Sequence, residues 1–125
     1  MKRPNNWFFF ADEDLKTAKA VLREGIYNQV CFHCQQGVEK TLKGFLRSQG
    51  RSVPKTHSLD DLVDICSGID TDFQKIKRAC VKLDDYYTST RYPDVAEEVF
   101  PEGLATKQDA QGGSGGLAPY NGLCG

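Results

Sequence analysis

Apolar residues in this chain return at intervals of three and four, and never convincingly at intervals of two. That rhythm constrains the fold most, because positions i, i+3, i+4 and i+7 share one face of an α-helix, whereas a half-buried strand alternates. Phe8, Ala11, Leu15, Ala18 and Leu22 form a stripe that predicts a helix over residues 7–24. Pro4 with Asn5 or Asn6 suits its start, Asp12 to Asp14 its early turns, and Gly25 its end. Cys31, Cys34, Val38, Leu42 and Phe45, widened by Leu46, predict a second helix over residues 27–48. Gln29, Gln36, Lys40, Lys43 and Arg47 lie off that stripe.

A loop punctuated by Pro54 follows. Leu59, Leu62, Val63 and Cys66 predict a short third helix over 59–66, with Ser58 as N-cap and Asp61 at its third position. Thr71 and Gln74 have capping-box spacing. Phe73, Ile76, Cys80, Leu83 and Tyr87 then make the stripe of a fourth helix, ending near Thr88 and before Pro93. The predicted class is all-α, an up-and-down antiparallel four-helix bundle with a fifth helix short, frayed or missing.

The chain's 125 residues suggest one domain with a core that needs no disulfide staples. A formal net charge of −1 gives no bulk attraction to nucleic acid, though a local basic patch stays open. No apolar run approaches the roughly 18 residues of a spanning helix. "WFFFA" is followed at once by Asp12, Glu13 and Asp14, unlike a signal peptide. The five cysteines show no framework of spacings, so reduced thiols and a cytoplasmic setting without a membrane are expected.

Cys31 and Cys34 form a CxxC with His33 between them. A structural zinc site takes four ligands, and no second CxxC or HxxxH accompanies this pair. A redox CxxC sits at a helix start, whereas this one lies inside a long helix with both sulfurs on the apolar stripe. Packing as small hydrophobes is the expected role, with no metal and no cofactor. His33, beside the stripe, reads as a surface or interface histidine.

"DLKTAKAVLREGIYNQVCFHCQQGVEKTLKGFL", "THSLDDLV" and "LDDYYTSTRYPD" together resemble the HEPN domain of prokaryotes over about residues 7–100. The resemblance rests on Ala11, Asp14, Leu15 and Ala18; on Gln35, Gln36, Glu39, Lys40, Leu42 and Lys43; on His57 and Leu59; and on Tyr87, Arg91, Tyr92 and Pro93. It implies a helical bundle, commonly a homodimer, often paired with a minimal nucleotidyltransferase in a toxin–antitoxin-like module. Some such domains are metal-independent endoribonucleases. Others are read as nucleotide-binding or substrate-binding partners of the transferase.

Nuclease members carry an Arg followed four to six residues later by His, a side chain able to move protons near neutral pH. Arg91 is followed by "YPDVAEEVF", without histidine. Asp94, Glu97 and Glu98 add negative charge where phosphates would approach. Arg91 is therefore catalytic only on the nuclease reading. The favoured reading is a non-catalytic, dimeric partner of a nucleotidyltransferase that binds nucleotide. An endoribonuclease toxin acting on RNA and a purely structural dimerisation module are the alternatives.

The candidate phosphate-binding residues are Arg91, Tyr87, Tyr92, Lys40, Lys43 and Gln36, since a guanidinium pairs with phosphate and a ring stacks on a base. Two competing expectations stand beside them. Asp84 or Asp85 would hold Arg91 in an ion pair, and Lys40, Lys43 and Arg47 would form a solvated basic face, with Glu39–Lys43 an i,i+4 pair. Gln35 and His57 read as structural polar groups, the first a buried amide needing partners, the second a donor to a loop carbonyl.

The composition changes after residue 104, so residues 1–104 are assigned to the helical domain and 105–125 to a flexible, Gly-rich tail. From Gly112 a one-base shift of reading frame permits an amphipathic string, which suggests a frameshifted last helix.

Overall fold

The computed structural model describes residues 5–115, with side chains through Gln111. The frameshift reading and the thiol of Cys124 lie outside the described residues. All regular structure among the described residues is helical. In chain order it comprises α1 (Asn6–Arg23), α2 (Tyr27–Ser48), α3 (Leu59–Ser67), a 3-10 turn (Thr71–Ile76), α4 (Lys77–Asp84), α5 (Tyr86–Ser89), α6 (Pro93–Val99) and α7 (Lys107–Gly115). None of these helices is long and apolar enough to cross a membrane.

α2 is the axis, touching α1, α3, α4, α5 and α7. It ends in a Schellman motif, in which Arg51 N–H reaches Leu46 O and Gly50 N–H reaches Arg47 O, with Gly50 at φ +72°. α1 ends the same way at Gly25, φ +73°, where Ile26 N–H reaches Val21 O and Gly25 N–H reaches Leu22 O. The left-handed glycine turns the chain back at once, so α1 and α2 form a tight hairpin. Their crossing uses small residues: Ala11 and Ala18 on α1, Gly37 and Gly44 on α2. A Cβ on Gly37 would lie 2.6 Å from Leu15 Cδ2, and one on Gly44 would lie 2.7 Å from Phe8 Cε1.

Cys31, Cys34, Val38, Leu42 and Leu46 are buried along α2, meeting Leu59, Leu62, Val63 and Cys66 from α3 and Ile76, Cys80 and Leu83 beyond. The two CxxC thiols are therefore core residues. Burial pushes the Cys31 and Cys80 thiols up to about 12 and Cys66 to about 11, so they stay protonated near neutral pH.

α3 begins at Ser58, whose Oγ accepts from Asp61 N–H at 3.2 Å. A second cap comes from α4. Asp84 accepts from Leu59 N–H at 2.7 Å and Asp60 N–H at 3.0 Å, bolting the two helices together. Burial pushes the Asp84 carboxyl up, against the pull of those two N–H groups.

The structure departs from the sequence reading in four places. The predicted capping box at Thr71 does not form: Asp70 caps Asp72 N–H at 3.0 Å and Gln74 Nε2 donates to Ser67 Oγ at 2.8 Å, leaving a 3-10 turn there. The fourth helix is interrupted at Asp85, which changes its phase: Tyr86 fills the core in place of Tyr87 and stacks on Phe100 at 5.7 Å. Phe8, assigned to the buried stripe, is 44% exposed, so the α1 core begins at Ala11. Packing also runs past residue 104, where the sequence reading places the tail. Ala105 N–H donates to Asn28 Oδ1 at 3.0 Å, Ala110 is buried, and α7 lies against α2.

Gly37→Ala should destabilise the fold, since overpacking of about 1–3 kcal/mol outweighs roughly 1 kcal/mol of gained helix propensity. Gly44→Ala should cost less, because half-exposed Phe8 is free to swing away while buried Leu15 is not. Equal denaturation midpoints for the two variants would refute this account of the crossing. In a Cys124→Ser background, an aromatic disulfide reagent at pH 8 should label the remaining four thiols only once denaturant is added.

Candidate functional site

Pro93 opens α6, and a residue before proline is driven to extended backbone. Tyr92 sits accordingly at φ −124°, ψ 119°. This sharp exit after α5 carries Arg91 back over the helix it has just left. Its Nε donates to Tyr87 O at 2.8 Å. Its guanidinium carbon lies 4.5 Å from the Tyr87 ring centroid, 5.1 Å from Phe32 and 5.4 Å from Tyr92. The phase change at Asp85 is what presents Tyr87 at the surface for this contact. Three rings and a carbonyl thus hold one exposed cation.

No carboxylate among the described residues pairs with Arg91. The ion pair expected from Asp84 or Asp85 is absent because Asp84 is committed to the start of α3. A guanidinium has five N–H donors, and only Nε is used here, so both terminal nitrogens keep theirs for a ligand. Beside the cluster lies an open cleft of about 100 Å³, lined in part by Asn28, Thr90, Arg91, Tyr92 and Leu104. A pocket enclosing a small organic ligand typically needs about 300 Å³ or more, so a nucleoside would lie across the rings rather than inside the cleft.

The other candidates are placed elsewhere. Lys43 is not on a solvated basic face: it is buried, with Nζ 3.0 Å from Glu39 Oε2, and its ammonium lies 5.8 Å from the Trp7 ring centroid. α1 covers this part of α2, and an ammonium so enclosed requires its carboxylate. Lys40 is bound to Asp14 of α1. Of the predicted basic face only Arg47 is exposed and, among the described residues, unpaired. Gln36 Nε2 donates to Gln35 Oε1 at 2.7 Å. Gln35 is fully buried and donates to His57 O at 3.2 Å, which ties the loop before α3 to α2. His57 does not donate to a loop carbonyl. Its carbonyl accepts from Gln35, its Nδ1 lies 3.1 Å from both oxygens of Glu39, and its ring stacks on Tyr87 at 5.0 Å.

One participant escapes the sequence reading, and two others enter it without their histidine partners. Phe32 is adjacent to the stripe residue Cys31, and nothing in its spacing marks it as a partner of a residue 59 positions away. Asp14 and Glu39 enter the sequence reading as motif residues, and Glu39 as the i,i+4 partner of Lys43, but neither as the partner of a histidine. Their histidine partners come from another helix and from a loop: His33 Nδ1 lies 2.9 Å from Asp14 Oδ1, and His57 meets Glu39.

Known proteins share this architecture. The HEPN domain family profile matches residues 5–112. The crystal structure of TT1696 from Thermus thermophilus superposes with a TM-score of 0.76 at 28% sequence identity, covering 99% of this chain and 97% of that one. No curated protein matches the chain.

Removing one partner of a buried ion pair strands the other, at a cost of about 3–5 kcal/mol. Lys43→Ala should therefore lower stability towards the small end of that range, since Glu39 keeps His57. Arg47→Ala, one turn on, should fall within about 0.5 kcal/mol of the parent. Chemical denaturation of both variants reads the difference directly.

Proposed function

The chain belongs to the HEPN domain family, and from that premise we propose that it binds a nucleotide at Arg91, as the non-catalytic, homodimeric partner of a minimal nucleotidyltransferase in a toxin–antitoxin-like module. One observation carries the reading: the Arg91 guanidinium is exposed, has no carboxylate partner among the described residues, and is held over three aromatic rings. Side-chain entropy is the usual cost of using arginine as a phosphate ligand. The carbonyl of Tyr87 and the stacked rings have already removed much of that freedom, so the free donors are presented in a fixed orientation.

Charge and stacking complement each other at such a site. A guanidinium edge pairs with two phosphate oxygens, and an adjacent tyrosine face offers a base roughly 1–3 kcal/mol of stacking. Tyr92, 54% exposed, is the ring most open to a base. Lys40 and Lys43 take no part on this reading, since their charges are committed to Asp14 and Glu39. The site is a single cation with aromatic walls, suited to one mononucleotide rather than to a long anionic polymer. Asp94, Glu97 and Glu98, all exposed, favour the smaller ligand further.

ATP or GTP should raise the midpoint of thermal unfolding of the parent protein and leave Arg91→Ala unmoved. Removal of a charge-assisted phosphate contact should weaken binding by at least about tenfold. RNA incubated with the protein should stay intact. Cleavage that Arg91→Ala abolishes would replace this reading with the ribonuclease.

A further inference from the structure

The chain contains two histidines, and both reach the Arg91 cluster. His57 stacks on Tyr87, and His33 meets the edge of Phe32 at 5.4 Å. Tyr87 and Phe32 are two of the three rings that carry the guanidinium. Each histidine is held through Nδ1 by a carboxylate that is itself held by an ammonium: Glu39 with Lys43, and Asp14 with Lys40.

This arrangement decides the tautomer. An ionised carboxylate only accepts hydrogen bonds, so Nδ1 must be the donor in both rings. The neutral imidazole has one N–H, and it is used there. Nε2 is left as an acceptor, an assignment made from the network. The His57 side chain is 55% exposed and that of His33 is 24% exposed, so His57 is the more available to a ligand.

An acceptor is a poor partner for phosphate, whose oxygens also accept. It suits a hydroxyl. We infer that the ligand at Arg91 is a ribonucleotide, and that Nε2 of His57 accepts a hydrogen bond from a ribose hydroxyl, making His57 the residue that distinguishes ribose from deoxyribose. This rests on the nucleotide-binding reading above. Burial of the Glu39–Lys43 pair then has a purpose beyond packing: it holds His57 in one tautomer on the Tyr87 ring that also carries the phosphate-binding cation.

The test is calorimetric titration of the intact chain with ATP, 2′-deoxy-ATP and 3′-deoxy-ATP. Loss of a neutral hydrogen bond should weaken at least one deoxy form by about three- to tenfold. His57→Phe keeps a ring on Tyr87 and removes the nitrogen, so this variant should bind ATP and the deoxy forms alike. Equal binding of all three nucleotides by the parent protein would overturn the inference while leaving nucleotide binding intact. Absence of binding to any of them, with Arg91→Ala no different, would remove the underlying reading as well. RNA cleavage lost in His57→Phe would also overturn it, because the nitrogen would then be abstracting a proton rather than recognising a hydroxyl.

Discussion

Glu39 is a carboxylate placed in the middle of a buried helix, and much of the molecule is arranged around it. An unpaired ion there would be intolerable, so partners must come to it. Lys43 supplies one from the next turn of α2 and is covered by Trp7 of α1. His57 supplies the other from the loop before α3. Because Gln35 also holds the His57 carbonyl, that loop is tied to α2 by both side chain and backbone. The imidazole then forms a platform for Tyr87, and Tyr87 for Arg91. A single buried charge thereby connects the hairpin of α1 and α2 to the exposed cation at the end of α5.

A second constraint is how closely α1 and α2 approach. Small residues at the crossing let the two backbones come near, and this brings Asp14 within reach of Lys40 and His33. A wider crossing would leave Asp14 short of both. The Asp14–Lys40–His33 contacts are therefore conditional on the glycines at this crossing.

Much of the bundle could be read from spacing. The second helix was legible to the residue, Tyr27–Ser48, and the first and third to within a residue at each end. In each, the stripe and the cap agree, and propensity, periodicity and packing all favour the same state. The fourth helix was less legible because its apolar pattern allows two phases. Cys80 and Leu83 accept either Tyr86 or Tyr87 as the next core residue. The interruption at Asp85 selects Tyr86. Gln74 was misread for a related reason: its spacing from Thr71 fits a capping box, while Ser67 on the preceding helix offers a competing partner in space.

What the sequence alone determined is the helical class, the turn at Gly25, and the burial of the α2 stripe with its two thiols. These follow from neighbours within about four residues, where φ/ψ preference and side-chain periodicity act. What only the tertiary structure decided is which charges are spent and which are free. Lys43 lies on α2 with Glu39 one turn away, and Arg91 lies in the turn after α5 with Asp84 and Asp85 nearby in sequence, so local spacing offers both cations a carboxylate. One is covered by Trp7 beside Glu39, and the other is held over Phe32, Tyr87 and Tyr92 without a carboxylate among the described residues. Electrostatic pairing depends on distance through space, and those distances are set only when distant segments pack together.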